Sequence, residues 1–339
     1  MSAPATSAEA GLVAAARAGD EAAFRRLTEP YRRELHVHCY RMLGSLYDAE
    51  DAFQETLLRA WRHLAGFEPR GSIRAWLYRI ATNVCLTAAA RRQPQPALVT
   101  HDLTTPEGEA VMLAPYPDAL LDELPSTAAD PAARYDLDES VQLAFLAAVQ
   151  LLPPRQRAVL LLRDVLGFAA AEVAELTDAT TAGVNSALQR ARSTIERHCA
   201  GGRLELTRTP PPDDVERSLV SRYVAAWHSV DIDALVALLR EDAVMTMPPE
   251  PLLFRGRRAI GDFFATVPAG GALDQIRLVP THANRQPALA AYLLDPAAGV
   301  HRGYGLMVLS LDGDAIAEIT GFADPTLFPF FRLPAELDS

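Results

Sequence analysis

The sequence contains no lysine, since all 32 of its basic residues are arginine. It has only three cysteines, Cys39, Cys85 and Cys199, which are far apart and form no C-x-x-C pair. Such usage indicates neither a disulfide framework nor a zinc site. The chain also lacks an apolar run of about 18 residues, and its N-terminus has neither a basic region nor an apolar signal core. We therefore expect a cytoplasmic protein that does not enter a membrane and that has no metal site.

The charged residues are unevenly distributed along the chain. The 339 residues carry a formal charge of −11, which argues against a protein that simply coats DNA. Residues 1–100 and 141–212 are mildly basic, with net charges of +3 and +2, whereas residues 101–140 carry −9 and residues 213–339 carry −7. The length suits two or three domains. The charges therefore indicate two basic blocks, an acidic linker between them, and an acidic C-terminal domain.

Residues 47–92 predict two helices joined by a loop. Apolar residues recur at intervals of three and four in the first helix and define one buried face. On its opposite face acidic residues come first and arginines last, as the helix dipole prefers. This polar face includes Asp51, Gln54, Glu55 and Leu58. The loop HLAGFEPRGS contains an exposed-looking aromatic residue, Phe67, and Ser72 is placed to cap the second helix.

The second helix directs polar side chains outward, namely Arg74, Arg79 and Asn83. A polar and acidic helix face beside a surface of arginine, asparagine and aromatic residues indicates two partners, one a protein and the other a nucleic-acid strand. A solvated helical hairpin without such partners is the alternative interpretation.

Residues 139–198 predict a second helical domain that contains a helix-turn-helix. A short helix and a turn at Asp178-Ala179 lead into a longer helix, whose inward face comprises Val184, Leu188, Ala191 and Ile195. Aspartate tolerates the left-handed backbone conformation that this turn needs. The outward face comprises Asn185, Ser186, Gln189 and Arg190. Asparagine, glutamine and arginine can read base edges through paired hydrogen bonds.

The C-terminal region predicts an α+β domain after a linker rich in glycine and proline. Two helices, the second capped by Asp231, precede short alternating segments that predict strands. Large side chains are expected to line a pocket in this domain: Tyr223, Trp227, Met247, Phe264 and Tyr304. Acid–base catalysis there would need a buried carboxylate paired with a tyrosine or histidine. No pair is singled out among Asp242, His282, Asn284, Tyr292, His301 and Asp324. We therefore expect no catalytic residues and no cofactor, and a pocket for a small ligand is the favoured interpretation.

Three parts of the sequence resemble known protein families. DAEDAFQETLLRAW followed by WLYRIATN resembles domain 2 of the extracytoplasmic-function (ECF) sigma factors of bacterial RNA polymerase. LPPRQRAVLLLRDVLGF and VNSALQRAR resemble sigma domain 4, and MPPEPLLFRGRRAIGDFF resembles the SnoaL-like, ketosteroid-isomerase-like cone. The resemblance implies a multidomain fold, in which two all-α sigma domains precede an α+β cone with a bent antiparallel sheet.

The resemblance also implies a division of the chain. Sigma domain 2 would occupy residues 1–95 and sigma domain 4 would occupy residues 136–200, with an acidic flexible linker (residues 96–135) between them. A second linker (residues 201–212) would lead to the SnoaL-like domain (residues 213–330) and a C-terminal tail (residues 331–339). In sigma factors the segment that corresponds to the first linker threads the RNA path of the polymerase.

The implied function is promoter-specific transcription initiation, with core RNA polymerase and promoter DNA as partners. The polymerase would bind Asp51, Gln54, Glu55 and Leu58. The melted −10 strand would bind Phe67, Arg74, Arg79 and Asn83. The −35 element would bind Asn185, Ser186, Gln189 and Arg190. The C-terminal domain would modulate this activity in cis. The alternative is a SnoaL-like enzyme or small-ligand sensor fused to a DNA-binding module.

Overall fold

The computed structural model describes residues 7–67, 72–91, 113–122, 141–200, 211–248 and 250–338. These residues form two compact units. One unit contains an N-terminal helical domain (residues 7–91) and a middle helical domain (residues 141–200). The other contains a C-terminal α+β domain (residues 211–338) together with residues 113–119. No helix within the described ranges is long and apolar enough to cross a membrane.

Local capping fixes the ends of the helices in the N-terminal domain. The helices are α1 (Ser7–Arg17), α2 (Glu21–Thr28), α3 (Arg32–Leu43), α4 (Leu46–His63) and α5 (Ile73–Arg91). Asp20 and Ser45 cap α2 and α4 by accepting hydrogen bonds from free backbone amides. Ser72 does the same for α5, at 3.3 Å from the Ala75 amide. Gly44 ends α3 with a left-handed φ of 71°.

His38 of α3 is completely buried against α5. Its Nε2 atom lies 3.0 Å from Thr82 Oγ1, and its ring packs edge-on against Tyr78 at a centroid distance of 5.1 Å. Burial lowers the pKa of His38 from 6.5 to about 3, and the charges of Arg41 and Arg74 act in the same direction. The imidazole is therefore neutral in the folded protein at physiological pH.

The middle domain contains the predicted helix-turn-helix. Its helices are α7 (Leu143–Gln150), α8 (Pro154–Leu160), α9 (Ala170–Leu176) and α10 (Thr181–Ala200), after a short α6 (Asp118–Leu121) that precedes the domain. Asp178 lies in the turn between α9 and α10 with a left-handed φ of 51°, so the tolerance of aspartate for this turn is confirmed. Val184, Leu188 and Ala191 of α10 are buried, as the periodicity predicts.

Over its described residues, the C-terminal domain is a seven-stranded sheet covered by three helices. These helices are α11 (Asp213–His228), α12 (Ile232–Ala237) and α13 (Gly256–Thr266), and Asp231 caps α12 by accepting from the Ala234 amide at 2.9 Å. The strands are β1 (Leu239–Met247), β2 (Glu250–Arg255), β3 (Ile276–Ala283), β4 (Gln286–Asp295), β5 (Val300–Asp312), β6 (Ala315–Phe322) and β7 (Glu336–Asp338). Buried side chains such as Trp227, Phe264 and Ile319 form the core between helices and sheet.

The topology of the sheet corrects the predicted antiparallel pairing at one pair of strands. The strand order is β2-β1-β6-β5-β4-β3, and β1 runs parallel to β6, so the sheet is mixed. Alternating hydrophobicity identifies strands but carries no information about which distant strands become neighbours. In addition, β7 pairs with β5, so part of the expected C-terminal tail belongs to the sheet.

The predicted flexible linker is also partly structured. Residues 113–119 pack against the C-terminal domain, and α6 follows directly. The prediction of a flexible segment therefore fails at these positions, while the other residues of 96–135, except 120–122, lie outside the described ranges.

The pKa of His38 predicts that acid destabilises the N-terminal domain. His38 binds a proton readily when unfolded but not when folded, so its contribution to stability is complete above pH 6.5 and is lost as the pH falls toward 3. Between pH 7 and pH 5 the free energy of unfolding should decrease by about 2 kcal/mol through this residue. Urea denaturation of wild type and His38→Gln, followed by tryptophan fluorescence, measures this difference. An equal decrease in both proteins would contradict the assignment.

Candidate functional site

The polar face of α4 presents a partly exposed leucine among charged and amide side chains. Asp51 and Gln54 are exposed, Glu55 is half-buried, and the side chain of Leu58 is 50% exposed. Gln54 donates to Glu50 at 2.7 Å. These four residues therefore form one polar, solvent-facing side of α4 around a half-exposed leucine.

A hydrogen bond from the neighbouring helix stabilises the ionised form of Glu50 on α4. His36 Nε2 lies 3.0 Å from a carboxylate oxygen of Glu50. The hydrogen bond from His36 lowers the pKa of Glu50 to about 2. Glu50 therefore stays ionised in acid well below its ordinary pKa, beside Asp51 and Gln54.

Phe67 is not exposed, which corrects the sequence-based expectation. Its side chain is only 4% exposed, and its ring packs against Trp76 at a centroid distance of 5.2 Å. Its carbonyl oxygen accepts a hydrogen bond from Arg17 of α1. Phe67 is therefore part of the domain core, packed against Trp76 of α5. In this conformation Phe67 offers no free ring face to a nucleic-acid base.

Arg74 is held in place by three groups of its own unit. It pairs with Glu34 at 3.1 Å, and its guanidinium lies over the rings of Tyr78 and Phe168, at 5.0 and 5.1 Å from their centroids. Phe168 belongs to the middle domain, directly before α9. Arg74 therefore links the two helical domains instead of pointing freely into solvent.

Arg79 also contacts the middle domain. Its Nη2 atom donates to the carboxylate of Asp178 at 2.7 Å, in the turn of the helix-turn-helix. Both side chains are about half exposed or more, so this ion pair contributes about 1 kcal/mol at most. Asn83, one turn further along α5, lines a groove of about 390 Å³ between α5 and the helix-turn-helix, and Arg190 lines the same groove.

A buried arginine joins the middle domain to the end of α3. Arg157 Nη1 donates to the Met42 carbonyl at 2.5 Å, and Gln150 Nε2 donates to the Arg41 carbonyl at 3.0 Å. The same guanidinium also donates to backbone carbonyls of Val149, Gln150 and Leu152 at the end of α7. Terminal carbonyls of two helices are thus satisfied by one cation, where helix dipoles favour positive charge.

The predicted outward face of α10 is exposed as a continuous strip. Asn185, Ser186, Gln189 and Arg190 all point to solvent, on the side opposite the buried Val184 and Leu188. Arg190 donates to Ser186 Oγ at 2.8 Å, across one turn of the helix. The arrangement presents amide and guanidinium groups suited to the major groove.

The C-terminal domain contains a small apolar cavity of about 100 Å³. Four of the five predicted lining residues face it, namely Trp227, Met247, Phe264 and Tyr304. Tyr223 is not one of its lining residues, because it lies in the core beside Trp227 at a ring distance of 6.2 Å. Burial raises the pKa of Tyr223, so its hydroxyl stays protonated.

The candidate acid–base residues have other contacts or lie outside the cavity. Among the described lining residues, Tyr304 is the only titratable side chain. Asp242 pairs with Arg240 at 2.8 Å, and His282 lies 3.1 Å from Glu216. Other candidates bind backbone groups. Asn284 accepts a hydrogen bond from the Tyr116 amide, and Asp324 accepts one from the Thr326 amide. The Tyr292 hydroxyl donates to the Pro334 carbonyl.

Comparison with known proteins places all three domains in named families. The sigma-70 region 2 family matches residues 27–95, the sigma-70 region 4 family matches residues 142–195, and the SnoaL-like domain family matches residues 220–318. The chain is 45% identical over 331 residues to the ECF RNA polymerase sigma factor SigG of Mycobacterium tuberculosis strain H37Rv, covering 95% of this chain and 86% of SigG. The chain is an ECF sigma factor with a C-terminal SnoaL-like domain.

Two further relatives of this sigma factor are similar to it, one in the sequence of about half of the chain and the other in its fold. The ECF sigma factor SigW of Bacillus subtilis strain 168 is 27% identical over 179 residues, which is 53% of this chain and 90% of SigW. The crystal structure of Mycobacterium tuberculosis SigJ, an ECF sigma factor, covers 90% of this chain and 97% of its own, with a TM-score of 0.57 and 22% identity. At 22% sequence identity, the similarity to SigJ shows that the two chains share a fold.

The two kinds of contact between the helical domains of the sigma factor predict unequal effects on stability. Arg157→Met leaves buried helix carbonyls without their charged donor and should lower the free energy of unfolding by about 3 kcal/mol. Asp178→Asn keeps the left-handed turn and removes only the exposed ion pair, so it should cost less than about 1 kcal/mol. Urea denaturation measures both, with the exposed Arg155→Met as the matched control. Similar losses for Arg157→Met and Arg155→Met would contradict the role of Arg157.

Proposed function

We propose that this sigma factor directs core RNA polymerase to promoters through three surfaces of its helical domains, and that its SnoaL-like domain modulates this activity in cis. The observation that carries the proposal is the exposed strip on α10, where base-reading side chains stand opposite a buried apolar face. Within this proposal residues 1–95 and 136–200 act as sigma domains 2 and 4, residues 213–330 form the regulatory domain, and the protein acts in the cytoplasm.

The polar face of α4 is the proposed site for core RNA polymerase. Leu58 supplies apolar area at its centre, while Asp51, Gln54 and Glu55 supply polar contacts around it. Glu55 accepts from Arg59 at 2.6 Å, which fixes the orientation of its carboxylate. An interface with an apolar centre and a polar rim gives both affinity and orientation.

Arg74, Arg79 and Asn83 are the proposed contacts to the −10 strand. Two of them contact the middle domain in the structure, Arg74 through Phe168 and Arg79 through Asp178. Binding of a DNA strand by these arginines therefore requires the two helical domains to separate along α5. The weak, exposed Arg79–Asp178 pair is suited to such an exchange, since phosphate oxygens are good substitutes for a carboxylate.

The proposed role of the SnoaL-like domain is regulatory and not catalytic. Its cavity has an almost entirely apolar lining, and the acid–base candidates lie outside it or bind backbone groups. A ligand of this cavity would have to be small and apolar, since about 100 Å³ is less than the ~150 Å³ that accepts benzene. This chemistry favours a regulatory domain over a fused enzyme.

Replacing Gln54 and Glu55 by alanine should weaken binding to core RNA polymerase without unfolding the protein. Both side chains lie on the solvent side of α4, so the core of the domain is unaffected. Co-purification with core polymerase measures binding, and circular dichroism checks the fold. Glu21→Ala, at an exposed position on α2, is the control. Unchanged co-purification of the double variant would remove these residues from the interface.

Replacing Gln189 or Arg190 by alanine should alter promoter preference. Loss of a paired hydrogen bond to a base costs about 1–3 kcal/mol and relaxes specificity at one position. Run-off transcription over a set of promoters that differ in the −35 element measures the change. Arg197→Ala, near the end of α10, is the control. A uniform loss on all promoters would instead identify the two residues as phosphate contacts.

A further inference from the structure

Part of the segment between the two helical domains is bound to the SnoaL-like domain. Residues 113–119 belong to the same compact unit as the C-terminal sheet, although they lie between α5 and α7 in the sequence. Tyr116 is completely buried in this unit and is one of the largest fully buried side chains described. We name residues 113–119 the strap.

The strap binds the tip of the β3–β4 hairpin. The two turn residues are Asn284 and Arg285, with left-handed φ values of 59° and 58°. A two-residue turn with both residues left-handed matches the twist of a hairpin, but its second position usually requires glycine. An arginine in this conformation is strained, and such strain persists where surrounding contacts hold the backbone. The strap supplies these contacts.

Reciprocal hydrogen bonds join the strap to the turn. The Tyr116 amide donates to Asn284 Oδ1 at 2.7 Å, and the Asn284 amide donates to the Tyr116 carbonyl at 2.9 Å. The Arg285 amide donates to Asp118 Oδ1 at 2.8 Å, and Pro117 forms a bridge with Ala283. The strap thus extends the edge of the sheet at this hairpin.

Burial distinguishes this contact from an ordinary hairpin tip. Asn284 is completely buried, although it occupies the tip of a hairpin, where side chains are ordinarily exposed. Asp118 also lies 4.0 Å from the Arg285 guanidinium, so opposite charges meet at the edge of the contact. Asn284 thus suits the strap in its backbone, which adopts the left-handed turn conformation, and in its side chain, which accepts the hydrogen bond from the Tyr116 amide.

We propose that the tip of the β3–β4 hairpin is an intramolecular binding site for the strap, through which the SnoaL-like domain restrains initiation. The proposal rests on the proposed sigma function. Both helical domains would bind the same polymerase and promoter, so the segment that connects them must cross that complex. Backbone groups of the strap that are paired with Asn284 and Arg285 are not available to the polymerase. The SnoaL-like domain and the polymerase therefore compete for the strap.

The test uses full-length protein with Asn284→Gly. Glycine keeps the left-handed backbone of the turn and removes the acceptor for the Tyr116 amide. Hydrogen exchange by mass spectrometry reports the Tyr116, Asn284 and Arg285 amides. We expect protection in wild type and at least tenfold faster exchange in Asn284→Gly. Run-off transcription at limiting core polymerase should rise at least threefold in the same variant.

Two further variants make the test specific. Tyr116→Ala removes the buried ring from the strap side and should have the same two effects. Asp314→Gly changes an exposed residue in the β5–β6 turn and should have neither. Exchange at Tyr116 that is equally fast in wild type and Asn284→Gly would overturn the binding site. Faster exchange with unchanged initiation would overturn the restraint. Absence of initiation by every protein would instead refute the sigma function, while the exchange data still decide whether the strap is bound.

Discussion

The arrangement of the helical domains depends on one buried cation. Arg157 satisfies carbonyl groups at the C-terminal ends of both α3 and α7, and Gln150 adds a bond to α3. Buried carbonyls without donors are costly, so this joint keeps the middle domain attached at the ends of α3 and α7. The contacts of Arg74 with Phe168 and of Arg79 with Asp178 follow from that attachment. Strong contacts thus lie at the joint, and weak ones lie where DNA would bind.

The two units of the protein use polar groups for different purposes. In the helical unit, exposed polar side chains on α4 and α10 form the candidate surfaces for polymerase and DNA. In the SnoaL-like unit, polar side chains such as Asn284 and Tyr292 bind backbone groups, while the cavity is lined by apolar groups. This division is consistent with initiation by the first unit and regulation by the second.

Much of this structure could be predicted from the sequence because local physics determines it. Hydrophobic periodicity located α4, α5 and α10, and caps such as Ser72 and Asp231 fixed helix starts. The left-handed conformation of Asp178 followed from the chemistry of its side chain. The outward residues of α10 followed from the same periodicity as its buried face.

Features that depend on contacts between distant residues could not be predicted in this way. Phe67 looked exposed because its loop is polar, but its burial depends on Trp76. The parallel pairing of β1 with β6 and the addition of β7 depend on the sheet as a whole. The Tyr116 amide is bonded to Asn284, 168 positions further along the chain. Periodicity describes one segment at a time and cannot report such partners.

The most direct test of the account is run-off transcription with core RNA polymerase and the full-length protein over a pool of promoter fragments. The account predicts initiation at a subset of promoters that share −10 and −35 elements, and none with core polymerase alone. Failure of the protein both to bind core polymerase and to support initiation on any fragment would contradict it. In that case DNA binding without polymerase would become the leading explanation of the helix-turn-helix.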